Sequence, residues 1–155
     1  MQVLPLDDKH DRRSFDCGDA ALNGWLKQTA KQHKEKGLSS TFVCVTDETS
    51  AEILGFYAVS LAELVNPSLP VQYAKRLPAK VPVFRLGRLA TASRHQGKGI
   101  GEFLLFDAID RATRVSVEVA GIGLVVNAKD SAVDFYKRYG FEQMADHPQN
   151  LFLPF

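Results

Sequence analysis

The chain has 155 residues, a formal net charge of +1, and 45% hydrophobic and 24% charged residues. This length and balance suit one globular domain, residues 1–155, with a sizeable core, and exclude a disordered or collagen-like chain. So small a net charge excludes binding to a polyanion through overall charge, so any such site has to be a local patch.

The first residues, MQVLPLDDKHDRR, contain no long apolar run of the kind a secretory signal needs. No stretch approaches the roughly 18 apolar residues that would span a bilayer. Cys17 and Cys44 form no CxxC pair, which points away from a disulfide framework and from zinc. The expectation is a cytoplasmic protein without a metal and without a membrane partner.

The first helical signal follows FDCG. Asp16 is the expected N-cap, with Asp19 placed where a carboxylate suits a helix N-terminus. Leu22, Trp25, Leu26, Thr29 and Ala30 then recur at helical spacing and build one largely apolar face. Lys27, Lys31 and Lys34 repeat on another face, and Lys36 comes just before Gly37, a natural stop. Gly24 leaves open whether this is one helix or two short ones. The runs TFVCV (41–45) and ILGFYAVS (53–60) read as two strands of a hairpin joined by a polar loop. The proline-rich stretch 67–82 is expected to be a surface connection with a short helix near 72–75.

VFRLGRLA (83–90) reads as the next strand and runs into RHQGKGIGEFLL. In the following helix, Asp107, Asp110, Arg111 and Arg114 make a polar stripe. GIGLVVNA (121–128) is a short continuous apolar strand of the buried kind. Residues 131–139 fit a helix ended by Gly140, and NLFLPF fits a last strand. This order predicts a mixed α/β (α+β) layer built on one central sheet.

A strand, a glycine turn and a helix in succession leave the first N–H groups of the helix unpaired, facing whatever lies above the turn. With the helix dipole they form a phosphate site, and glycine lets the ligand approach the backbone. The Walker pattern fails because Lys98 is followed by Gly99 and Ala92 stands where the first glycine belongs. The dinucleotide pattern GxGxxG fails at Glu102 and at Leu104. Q-x-x-G-x-G fits from Gln96 through Gly99 to Gly101, and R-x-x-G-x-G fits from Arg94 to Gly99.

This turn resembles that of the GCN5-related N-acetyltransferases (GNAT), in which it cradles the pyrophosphate of acetyl-CoA. A second segment, NAKDSAVDFYKRYGF, resembles the family's A-x-x-F-Y-x-x-x-G-F helix, with Ala132, Phe135, Tyr136, Gly140 and Phe141 at the matching positions. The resemblance implies a GNAT fold: a central, mostly antiparallel twisted sheet, helices on both faces, and a splayed strand pair at the acetyl-CoA site. It also implies that the backbone at Leu89, Ala90 and Thr91 holds the thioester and pantetheine arm. Gln96, Gly97, Lys98, Gly99, Ile100 and Gly101 would hold the pyrophosphate, and Asn127 and Phe135 would line the cofactor channel. Tyr136 would protonate the departing thiolate, because a phenol of pKa about 10 stays protonated at neutral pH. No carboxylate stands out as a general base. An α-amine, with a pKa near 8, has an appreciable neutral fraction without one.

The N-terminal half, HDRRSFDCGDAALNGWLKQTAKQHKEKGLSSTFV, is similar to the acetyltransferase toxins of bacterial type II toxin–antitoxin modules. Those proteins acetylate the α-amine of aminoacyl-tRNA and block translation; they usually form homodimers and are neutralised by a ribbon–helix–helix antitoxin. Under this resemblance Lys27, Lys31, Lys34, Lys36 and Arg88 are candidate tRNA contacts, although lysines at this spacing also suit a solvated helix face. RLATA has Thr91 and Ala92 where a Val-Asp-like pair is expected. An N-acetyltransferase for protein or small-molecule amines stays open, as does a non-catalytic CoA-binding interaction protein.

Overall fold

In a computed structural model, which describes all residues 1–155, the strands are β1 (Gln2–Pro5), β2 (Ser40–Val45), β3 (Gly55–Val65), β4 (Lys80–Thr91), β5 (Gly123–Asn127), β6 (Glu142–Gln143) and β7 (Asn150–Pro154). They form one open sheet in the order β1-β2-β3-β4-β5-β7-β6. The helices are α1 (Ala20–Gln28), α2 (Ala30–Glu35), α3 (Val71–Ala74), α4 (Ile100–Val119) and α5 (Val133–Arg138). The chain divides into two units, Met1–Ser60 with Gly87–Ala108, and Leu61–Leu86 with Ile109–Phe155.

In the first unit β1 pairs antiparallel with β2, and β2 antiparallel with β3. The cap of α1 differs from the expectation. Asp19, not Asp16, is the N-cap, and its Oδ1 accepts from the N–H groups of Ala21 and Leu22 at 2.9 and 3.2 Å. Asp16 is taken up by the FDCG turn, where its Oδ1 accepts from the Gly18 N–H and from Asn23 Nδ2, both at 2.9 Å. The helical stretch is indeed two helices, but it breaks at Thr29 rather than Gly24. Trp25 and Leu26 are buried with Ala30, Phe15, Val43, Val45 and Phe56 in this unit's core, and the Trp25 indole lies flat against the Phe56 ring. The start of α4 buries Ile100, Leu104, Leu105 and Ala108, while Asp107 accepts a 2.6 Å hydrogen bond from the buried Tyr57 hydroxyl.

In the second unit β4 and β5 are parallel, with Phe84, Arg85 and Leu86 opposite Leu124, Val125 and Val126. β7 lies antiparallel to β5 and to the short β6. The 67–82 stretch is not a mere surface connection. Leu69 and Val81 are each 1% exposed and join Val83, Val125, Met144 and Phe152 in a core cluster. Asn66 organises this stretch by donating from Nδ2 to the carbonyls of Ala74, Leu77 and Pro78 at 3.0, 2.9 and 3.0 Å. The end of α4 carries the Asp110–Arg114 ion pair and leaves Val115, Val117 and Val119 exposed. α5 is shorter than the expected 131–139, since Asp130–Ala132 form a 3-10 turn before it, and it ends at Arg138, two residues before Gly140, whose φ is 94°.

Two measurements check this packing. A Cβ at Gly55 would lie 2.7 Å from the Ala90 carbonyl oxygen and 2.8 Å from Leu104 Cδ1. Gly55→Ala should therefore cost about 1–3 kcal/mol in urea unfolding, and an unchanged midpoint would contradict the packing. The second concerns Cys44, which is fully buried; burial pushes its thiol up from 9.0 to about 11. The folded state then holds this proton across a range in which the unfolded chain has released it, so stability falls as pH rises from about 9 to about 11. Cys44→Ala should remove that part of the alkaline slope, roughly 2–3 kcal/mol over the window, whatever it does to stability at pH 7.

Candidate functional site

The first unit contains a strand end, a turn and a helix start in unbroken succession. β4 ends at Thr91 with Leu89 half-buried and Ala90 buried, a single 3-10 turn covers Ser93–His95, and α4 begins at Ile100. Gly97 and Gly99 both adopt φ of 80°, and a Cβ on either would meet nothing within 4 Å. The left-handed backbone explains why glycine stands at both positions, and the open space lets a ligand reach the main chain. The Phe103 N–H donates to the Gly99 carbonyl at 3.0 Å, so the α-helical ladder starts there. The N–H groups of the first turn, from Ile100 onward, have no carbonyl one helical turn earlier to bond within the helix. Two left-handed glycines thus stand before a 20-residue helix, the kind of helix start at which an anion is favoured. Lys98 stands between the two glycines, and Gln96 Nε2 reaches back to the Thr91 carbonyl at 3.5 Å.

Distant parts of the sequence frame this turn. The Ser93 N–H donates to the Asp16 carbonyl at 2.8 Å, and the Ala92 N–H to the Leu54 carbonyl at 2.9 Å. FDCG thus serves as a brace for the glycine turn as well as an approach to α1. Ala92, where an acidic side chain was expected, is 5% exposed and belongs to the core. Glu52 was not singled out in the sequence, yet its carboxylate meets Arg94 Nη2 at 2.5 Å and His95 Nε2 at 3.2 Å. No local motif could have signalled it, because it lies 42 residues from Arg94.

Arg88 sits in β4 just before the strand end. Its guanidinium carbon lies 4.3 Å from the Trp25 ring centroid, a cation–π contact. Burial holds its pKa below the usual arginine value, and no carboxylate offsets that burial. Lys27, Lys31, Lys34 and Lys36 are all exposed on α1 and α2 and the residue that follows. Their face is less purely basic than the sequence suggests. Lys31 Nζ pairs with Asp8 at 3.2 Å, and Lys31 and Lys34 share a cavity with Asp7, Asp8 and Glu35.

The remaining candidates, Asn127, Phe135 and Tyr136, belong to the second unit. Asn127 is exposed at the end of β5, and its Nδ2 donates to Asn150 Oδ1 at 2.9 Å. Tyr136 on α5 is 6% exposed, with the rings of Phe135 and Phe141 edge-on at 5.2 and 5.4 Å. Burial raises its phenol well above 10, so the hydroxyl keeps its proton at any physiological pH. No three His, Cys, Asp or Glu side chains group as a metal site, and no helix is long and apolar enough to cross a membrane.

Comparison with known proteins agrees with this geometry. Residues 15–151 match the model of the acetyltransferase (GNAT) domain. A tRNA-acetylating toxin of Mycobacterium tuberculosis is 32% identical over 149 residues, spanning 96% of this chain and 88% of that protein. Among solved structures, AtaT complexed with acetyl-methionyl-tRNAfMet is 28% identical with a TM-score of 0.90, covering 99% of this chain and 94% of that one. A tyrosine-to-phenylalanine mutant of AtaT, bound to the C-terminus of the antitoxin AtaR and to acetyl-CoA, is 26% identical with a TM-score of 0.82, covering 99% and 92%. Motif, fold and whole-length similarity agree: the chain belongs to the GNAT acetyltransferases.

Proposed function

We propose that this acetyltransferase uses acetyl-CoA to acetylate the α-amine of aminoacyl-tRNA, and so acts as a translation-blocking toxin. The observation that carries the reading is the open glycine turn at the head of α4, a cradle for the pyrophosphate of the donor. The choice of acceptor is supported by similarity along nearly the whole chain to a tRNA-acetylating toxin. The reading includes a cytoplasmic homodimer held in check by a ribbon–helix–helix antitoxin; for the antitoxin, its support is the likeness to AtaT, solved with the antitoxin AtaR.

Acetyl-CoA supplies an acetyl group activated as a thioester. The main-chain amides of Gly97 to Gly101 and the Lys98 ammonium would bind its pyrophosphate. Main-chain groups of Leu89, Ala90 and Thr91 would align the pantetheine arm and orient the thioester carbonyl toward the amine. Asn127 and Phe135 would line the channel. The amine nitrogen bonds to the carbonyl carbon, the carbon–sulfur bond breaks, the Tyr136 hydroxyl would give its proton to the departing sulfur, and the proton shed by the nitrogen passes through solvent to restore the phenol. A phenol kept neutral by burial is suited to donate and unsuited to act as the base. Arg88, rigid over Trp25 and lacking a carboxylate, would take a phosphate of the acceptor, with the exposed lysines adding weaker, screened attraction.

The direct test incubates the protein with labelled acetyl-CoA and a pool of charged tRNA, then releases the aminoacyl esters with alkali. N-acetylated amino acids are expected. Label on peptides or polyamines instead would move the assignment to another acceptor. Tyr136→Phe should lower kcat by about 10²- to 10⁴-fold while calorimetric binding of acetyl-CoA and the melting temperature are kept. An unchanged phenotype in that variant would favour a purely binding role. Arg88→Ala should raise KM for charged tRNA, leave KM for acetyl-CoA alone, and reduce the salt slope of tRNA binding by about one. An unaltered slope would remove Arg88 from the acceptor site.

A further inference from the structure

A carboxylate beside a diphosphate cradle is electrostatically the wrong sign, so the presence of Glu52 at the glycine turn needs a reason. Its position is well fixed. Its backbone bridges to Asp11, the Asp11 N–H donates to the Ala51 carbonyl at 2.8 Å, and Leu54 nearby accepts from Ala92. From there Oε2 meets Arg94 Nη2 at 2.5 Å and Oε1 meets His95 Nε2 at 3.2 Å. On the other side of the ring, His95 Nδ1 lies 3.2 Å from Lys98 Nζ.

The chemistry of these groups selects one arrangement. An ammonium can only donate, so Nδ1 is the acceptor; an ionised carboxylate can only accept, so Nε2 carries the ring proton. A neutral imidazole with its proton on Nε2 satisfies both contacts and links Lys98 through His95 to Glu52 in one directed chain. The Arg94–Glu52 pair is too exposed, at 67% and 43%, to add much stability. His95, at 20%, is the shielded member of the chain.

We propose that Glu52 is a positioning residue of the pyrophosphate cradle: by fixing the orientation of His95 it holds the Lys98 ammonium at the turn, and by engaging Arg94 it leaves phosphate binding to Lys98 and the backbone amides. This inference rests on the reading of the glycine turn as the acetyl-CoA site. It assigns Glu52 no contact with the ligand.

The test measures kcat and KM for acetyl-CoA, together with the calorimetric Kd for CoA, in Glu52→Ala, Glu52→Gln, His95→Ala, Lys98→Ala and the Glu52→Ala/Lys98→Ala double variant, each checked for an intact melting transition. Lys98→Ala should raise KM and Kd by about fivefold or more, in line with loss of one charge-assisted hydrogen bond. Glu52→Ala and His95→Ala should each raise them in the same direction with kcat nearly constant. Glu52→Gln, which keeps an oxygen for His95 Nε2 to donate to, should recover most of the loss. In the double variant the two losses should fall short of their product, as expected for residues acting through one another. Unchanged or tighter CoA binding in Glu52→Ala, the result of merely removing a negative charge, would overturn the proposal while leaving the glycine turn as the site. Fully multiplicative losses would overturn it equally. If Lys98→Ala leaves both KM and Kd unmoved, the reading of the turn itself loses its support and the proposal falls with it.

Discussion

The constraint on which the rest depends is that an α-helix cannot satisfy its own first N–H groups. In most helices a side chain or water takes them. Here two left-handed glycines flanking Lys98, Gly97 and Gly99, keep side chains out of the space above them, and the turn leads straight into a long helix. Such a site is useful only if the turn holds its shape without a ligand. Its three supports come from two stretches of chain: the Asp16 carbonyl of FDCG, and the 52–54 segment with the Glu52 carboxylate and the Leu54 carbonyl. Gly55 adds a fourth constraint by letting Ala90, Ile100 and Leu104 approach closely.

In the proposed function this arrangement would let an almost neutral protein engage anionic molecules. The cradle would use backbone dipoles and one lysine rather than a dense basic patch. Arg88 stacks over the Trp25 indole, so in the proposed function one placed cation would act where several mobile ones would otherwise be needed. The lysine face of α1 and α2 is moderated by Asp7, Asp8 and Glu35, which suits long-range attraction better than tight docking.

Much of this was legible in the sequence because it depends on local signals. The glycine turn, the strand before it, the helix after it and the helix bearing Tyr136 each announce themselves through turn residues and periodicity. The N-cap was misassigned because Asp16 and Asp19 both satisfy the capping preference; only the three-dimensional turn, with Asn23 bonded to Asp16, leaves Asp19 for the helix. β1 and β6 were missed because QVLP and EQ are too short to show alternation and are ordered by the strands beside them. The burial of Leu69 and Val81 in a proline-rich stretch depends on the three carbonyls gathered by Asn66, which no window of sequence reveals. Glu52 was invisible for the same reason: its partners are brought to it by the fold.

The central claim is that the main-chain amides from Gly97 to Gly101 hold the pyrophosphate, and amide-resolved NMR of the wild-type protein tests it most directly. CoA and pantetheine, which lacks the pyrophosphate, are titrated in parallel while the N–H signals of Gly97, Gly99, Ile100 and Gly101 are followed. The expected result is large shifts of these four signals with CoA and almost none with pantetheine. Equal shifts with both ligands, or shifts confined to other parts of the chain, would contradict the account.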